Sequence, residues 1–237
     1  MSRSHVLQPI APATCSQPLA TTLPSLSIDI TDAIETLCRG CEGIETVMNT
    51  NSDSNRFSLA LTDLQRLSLE KNIPIAIVGG LAAIRYGYAA ATQDIDIAVG
   101  QQSLPNLILL APAYGFKVAW ESKLGWHTLT HGDVEINIVP EGGKARDTSP
   151  TTIPSPVQMG VPSGLLYARI ESWMELKISS GRQKDRAHVV EVLKKSTSAM
   201  IERIREHLQR THLSYLEQFN LLLAESIAES RQEQDRR

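Results

Sequence analysis

The sequence predicts an α/β (α+β) fold, a sheet flanked by helices and followed by a helical C-terminal region. Three observations carry that prediction. Two short apolar runs, Ile75–Val78 and Ile95–Val99, bracket a glycine pair and a small-residue segment. Asp133–Val139 alternates polar and apolar residues with the period of a half-buried strand. From Leu165 onward, apolar residues recur at helical spacing. Helix, strand, turn, helix and strand in succession is the order of an α/β domain.

Size and composition narrow the function classes. A chain of 237 residues with 42% hydrophobic content can bury one core of moderate size, with or without a helical appendage. The net charge of −3 disfavours broad nonspecific nucleic-acid binding, so any such partner needs a local basic patch. Cys15, Cys38 and Cys41 are too few and too clustered for a disulfide framework. Cys38 and Cys41 have CxxC spacing, but a zinc site needs two further ligands and no second such pair exists. No apolar run reaches the roughly 18 residues of a membrane span, and no apolar signal segment opens the chain. The expectation is a cytoplasmic protein without a membrane partner.

Residues 1–55 read as a flexible or weakly structured N-terminal extension. Pro9, Pro12, Pro18 and Pro24 punctuate a Ser/Thr/Ala-rich leader over 1–27. Residues 29–48 have rough helical spacing broken by Gly40 and Gly43, and 49–55 are a polar linker. A central core is expected over 56–164. It opens with a leucine-rich amphipathic helix over 58–70, carrying Leu59, Leu61, Leu64, Leu67 and Leu69. The strand from Ile73 follows directly.

At Gly79-Gly80 the absence of side chains lets backbone approach a ligand closely. A helix over Leu81–Tyr86 follows and presents N–H groups to any anion there. The next strand begins Asp94-Ile95-Asp96. Residues two apart on a strand share a face, so Asp94 and Asp96 present paired carboxylates. Such a pair repels itself unless a cation lies between, and hard cations such as Mg²⁺ favour carboxylate oxygens. A helix is expected over Pro105–Tyr114. Phe116–Trp120 and Trp126–Thr130 read as paired strands around Leu124-Gly125. In the alternating strand, Asp133, Glu135 and Asn137 share one face and Val134, Ile136 and Ile138 the other.

Residues 140–164 contain five prolines and four glycines and form a long loop. Lys144 and Arg146 make it locally basic, suited either to closing over phosphates or to wrapping the domain. The region 165–237 is expected to complete the site. One helix covers Ile170 to Ile178 and stops at Ser179-Ser180-Gly181. A second runs from Arg182 to Leu193 with Ala187, Val189, Val190 and Leu193 on its apolar face, and helical segments lead to a solvated tail at 229–237. Lys177 interrupts an apolar face, a costly position for an ammonium group unless an anion or a carboxylate meets it.

The Gly79-Gly80 turn, a helix, and Asp94-Ile95-Asp96 with twelve residues between Leu81 and Asp94 resemble the signature of the nucleotidyltransferase superfamily of the DNA polymerase β type. The segment Glu175-Leu-Lys177-x3-Gly181-Arg-x-Lys184-Asp185 is similar to one in AbiEii-type toxins and related bacterial nucleotidyltransferases. The resemblance covers about residues 57–195 and implies a nucleotidyltransferase-like mixed sheet. It also implies Mg²⁺-dependent transfer of an NMP from an NTP to a hydroxyl acceptor, with release of pyrophosphate. Asp94, Asp96 and a third acid would hold two Mg²⁺ ions, with Glu135 the first candidate and Asp133 the second. Gly79 and Gly80 would seat the triphosphate, Lys177 would contact its phosphates, and Asp185 would lie at the site's edge. The implied partners are an NTP, an RNA or tRNA 3′ end and a cognate antitoxin protein.

Two departures from the family pattern, at Ala90 and Asn137, favour an alternative, a catalytically silent member that binds nucleotide or a partner. Ala90 stands where relatives often carry arginine. Asn137 aligns with an acid when Ile136–Pro140 is laid against their strand. His188 stands where a second aspartate is frequent.

Overall fold

The computed structural model of the protein describes residues 51–88, 92–122 and 126–236, with side chains from Phe57 onward. The N-terminal leader, the CxxC pair, Ala90 and the Leu124-Gly125 turn lie outside the described residues.

Helix α1 spans Asn51–Lys71. Residues 51–55, expected as linker, form its first turns. Its inner face is Phe57, Ala60, Leu61, Leu64 and Leu67, at intervals of three and four. Leu59 and Leu69, expected on that face, are exposed because each falls roughly 140° from the centre of the stripe. Asn72 takes a left-handed conformation, and the Ile73 N–H donates back to the Ser68 carbonyl at 2.9 Å. This closes the helix and delays the strand to Ile75.

Six strands make one mixed sheet: β1 (Ile75–Val78), β2 (Asp94–Val99), β3 (Lys117–Glu121), β4 (His127–His131), β5 (Val134–Pro140) and β6 (Leu165–Tyr167). Their order is β3-β4-β5-β2-β1-β6. β2 runs antiparallel to β1 and parallel to β5, and β6 runs parallel to β1. β6 was expected only as a lead into the helical region. At three residues it is too short to show alternation, yet it pairs Ile75–Ile77 and so puts part of the expected C-terminal region into the core sheet. Between β1 and β2 lies α2 (Gly79–Arg85), which starts at the glycines themselves. The helix expected over 105–114 divides into α3 (Leu104–Leu110) and a 3₁₀ turn (Ala111–Tyr114). Pro112, which lacks an N–H, sits in the first positions of that turn.

The two sheet faces differ. Ile75, Ile77, Ile95, Ile97, Val134, Ile136 and Ile138 pack against α1 and α3 in the main core. The opposite face carries Ala76, Val78 and Ala98, covered by Ile153, Met159 and Val161 from the 140–164 loop. That loop contains no helix or strand beyond Pro140 and wraps the sheet. Ile153, Met159 and Val161 each contribute about 1.5–3 kcal/mol by leaving water.

The helical region comprises α4 (Ile170–Ser180), α5 (Gln183–Lys195), α6 (Ser198–Thr211) and α7 (Leu213–Asp235). Gly181 caps α4 in a left-handed conformation. Trp173, Ile178, Val189, Val192, Ile204, Leu208 and Phe219 form its core, which Ala82 and Ala83 of α2 join to the sheet. Ala187, expected on the apolar face of α5, is exposed, and Val192 is buried instead. The tail at 229–237 is largely helical, and Glu229 and Glu233 bind Lys194 of α5 at 2.7 and 2.9 Å. No helix among the described residues is long and apolar enough to cross a membrane.

Candidate active site

Strand pairing sets the geometry. Asp94 is in register with Glu135, and Asp96 with Asn137. All four therefore lie on the face opposite the main core. Asp94 accepts from Thr92 Oγ1 at 2.9 Å and from Asn137 Nδ2 at 3.2 Å, while Thr128 Oγ1 donates to Asn137 Oδ1 at 3.2 Å. A polar row thus crosses β4, β5 and β2. Burial pushes the Asp96 carboxyl above its ordinary range, and negative Asp94 pushes it further. Lys177, the Asn137 amide and Arg182 pull it partly back. The pair carries the repulsion that a cation would relieve.

Gly79 stands directly against Asp96, and Gly80 against Thr92, which holds Asp94. A Cβ on Gly79 would lie 1.9 Å from Asp96 Oδ2, and its φ of +68° disfavours any other residue. A Cβ on Gly80 would lie 2.6 Å from Thr92 Oγ1. The close approach expected for a ligand is thus an approach to the carboxylate strand itself. Trp173 Nε1 donates to the Gly79 carbonyl at 3.0 Å, fixing α4 on this turn.

One helical turn past Trp173, Lys177 points to Asp185 with Nζ–Oδ1 at 2.7 Å and lies 5.8 Å above the indole ring. Asp185 is fully buried and also receives Arg182 Nε at 2.7 Å and the Ser180 hydroxyl. Burial pushes its carboxyl up, but the Lys177 charge and the hydrogen bonds from Lys177, Ser180 and Arg182 outweigh that and hold it at about 2. Lys177 therefore meets the anion its sequence position demanded, and that anion is Asp185. His188 keeps a buried Nδ1 without a partner and packs on Tyr88 at 5.1 Å. Burial and the Lys177 charge push its pKa down, favouring neutral imidazole.

Of the residues expected in the site, Asp94, Asp96, Gly79 and Gly80 come together directly, and Lys177 lies within electrostatic reach of Asp96. Asp185 acts through Lys177. Glu135 occupies the position next to Asp94 but is exposed. Among the described residues, no three His, Cys, Asp or Glu side chains converge in a metal-ligand geometry. Two carboxylates beside an amide nonetheless suit a cation such as Mg²⁺, which keeps several waters and needs only one or two protein carboxylates. Sequence inspection missed Thr92, Thr128, Trp173 and Ser180 as supports. Thr92, two residues before Asp94, and Trp173, four before Lys177, carried the only spacing signals.

No protein-family model matches the chain, and no curated protein matches it significantly. Among solved structures it is similar to the antibiotic-resistance factor ANT(2'')-Ia in solution, with a TM-score of 0.40 and 17% identity over 78% of this chain and 100% of that one. It is also similar to ANT(2'')-Ia crystallised with adenylyl-2''-tobramycin, with a TM-score of 0.36 and 15% identity over 73% and 99% of the two chains. Similarity at this level does not assign an activity.

Proposed function

We propose that the protein is an Mg²⁺-dependent nucleotidyltransferase that moves an NMP unit from an NTP to a hydroxyl acceptor. The observation that carries this reading is the paired carboxylate of Asp94 and Asp96, pressed against the Gly79 turn with Lys177 in electrostatic reach. Asp94 and Asp96 would hold the metal, with Glu135, in register with Asp94, as the third candidate. Bound Mg²⁺ would lower the acceptor hydroxyl's pKa and offset charge on the departing pyrophosphate. Thr92 and Asn137 orient Asp94 by hydrogen bonds, and the Trp173 bond to Gly79 keeps α4 over the carboxylates. Lys177 adds positive charge beside Asp96, where triphosphate would lie, and Asp185 sets the position of its ammonium group. The proposed acceptor is an RNA 3′ end, with tRNA first, and the proposed partner is an antitoxin. Both rest on the resemblance of the Glu175–Asp185 segment.

The test incubates the full chain with Mg²⁺, each labelled NTP and total tRNA. Label transfer is expected from wild type, with loss of at least a hundredfold in Asp94→Asn at unchanged melting temperature. Transfer retained by Asp94→Asn would exclude the metal assignment. The neutral Asn137 opposite Asp96 favours a second reading, a silent nucleotide binder. Tight NTP binding with no label transfer to any acceptor would select it.

A further inference from the structure

We propose that a cavity beside the carboxylate site binds a second, phosphate-bearing organic ligand, separate from the donor NTP, with Arg146 and Arg186 as its anchors. The cavity has a volume of about 440 Å³ and lies between residues 146–150, the α4–α5 turn and α7. That size matches sites for small organic molecules. Arg146, Lys177 and Arg186 line it, and no carboxylate does. Asp94, Asp96, Gly79 and Gly80 are not among its walls, so of the residues assigned to the donor position only Lys177 borders both.

Positive charge is in surplus there. Lys177 shares Asp185 with Arg182, so two cations meet one carboxylate. Arg186 reaches Glu225 only at 3.6 Å, with both side chains about half exposed. Among the described residues, no carboxylate pairs with Arg146. A Cβ placed on Gly181 would lie 3.1 Å from Cζ and from both terminal nitrogens of Arg146, so the guanidinium plane faces the glycine. Its N–H edge is thereby left for an oxyanion, and a planar guanidinium matches the two oxygens of a phosphate.

The loop that carries Arg146 is held in place. The Arg146 N–H donates to Ser149 Oγ at 3.1 Å, Ser149 Oγ donates to the Ser179 carbonyl at 3.2 Å, and Thr151 and Tyr215 hydroxyls meet at 3.0 Å. Ordering these groups before binding lowers the entropy cost of association. Ile178, Val189, Tyr215 and Leu222 supply an apolar wall, which inorganic phosphate would not use. A phosphate on a ring-bearing body satisfies both halves of the cavity. In the transfer reaction proposed above, such a ligand would be a phosphorylated acceptor.

Equilibrium dialysis of labelled AMP against the full chain, with Mg²⁺ and a saturating non-hydrolysable ATP analogue, tests this. AMP is expected to bind despite the occupied donor position and more tightly than adenosine or inorganic phosphate. Arg146→Ala and Arg186→Ala should each weaken it about tenfold, with Arg186→Lys recovering part of the loss. Both side chains are exposed, and thermal melting checks that the variants fold. No AMP binding, displacement of AMP by the analogue, or equal affinity in a variant that combines Arg146→Ala with Arg186→Ala would overturn the proposal. Asp94→Asn should leave AMP binding unchanged, so the cavity and the transfer reading can fail independently.

Discussion

Lys177 and Asp185 show how one side chain can serve structure and site together. Lys177 breaks an apolar helical face, which in sequence called for an anion or a carboxylate beside it. The structure supplies an anion from eight residues away, so Lys177→Ala costs stability as well as any nucleotide affinity. Asp185→Ala costs more, about 3 kcal/mol, because it strands a buried ammonium; urea unfolding measures the difference. The same pair sets an acid limit. The folded carboxyl titrates at about 2 against an ordinary 3.8, so its stabilisation is complete above pH 3.8 and lost as pH falls towards 2. That contribution is about 2 kcal/mol. Wild type should lose it over that window while Asp185→Asn does not, as read by unfolding free energy against pH. The ammonium's partner could not be read from spacing alone, since only the left-handed turn at Gly181 brings α5 back onto α4.

The glycine turn and strand β2 behave as one element. Gly79→Ala places a methyl group into Asp96 and requires a left-handed residue, at a cost of about 2 kcal/mol or more. Its melting temperature should fall by roughly 4–8 °C, which differential scanning calorimetry would detect. Gly80→Ala should cost less stability, because the Thr92 side chain it meets can rotate. In the proposed transfer reaction it should still lower the rate, because Thr92 orients Asp94. Asp94 and Asp96 were legible because strand periodicity is local. The glycines were legible as a place of close approach, but what approaches them is decided by the pairing of β1 with β2. Asn137 illustrates the same limit: alternation put it on the face of Glu135, while register alone put it, rather than Glu135, opposite Asp96.

Across the molecule, the chain's end closes on its middle through Lys194, which meets Glu191, Glu229 and Glu233 at 2.7–2.9 Å. Glu229→Gln combined with Glu233→Gln should lower the melting temperature, and the loss should shrink in 1 M NaCl, where screening already weakens the clamp. By itself the sequence determined the strands and helices whose apolar periodicity runs for five or more residues. It also determined the acidic pair and the lysine, because each depends on neighbours within a turn or a pleat. Only the tertiary structure decided that β6 joins the sheet, that the proline-rich loop covers the site face, and that α7 seals the helical core. It alone brought Arg146, Lys177 and Arg186 to one cavity. Those arrangements depend on contacts between residues far apart in the chain, which leave no periodic trace in it.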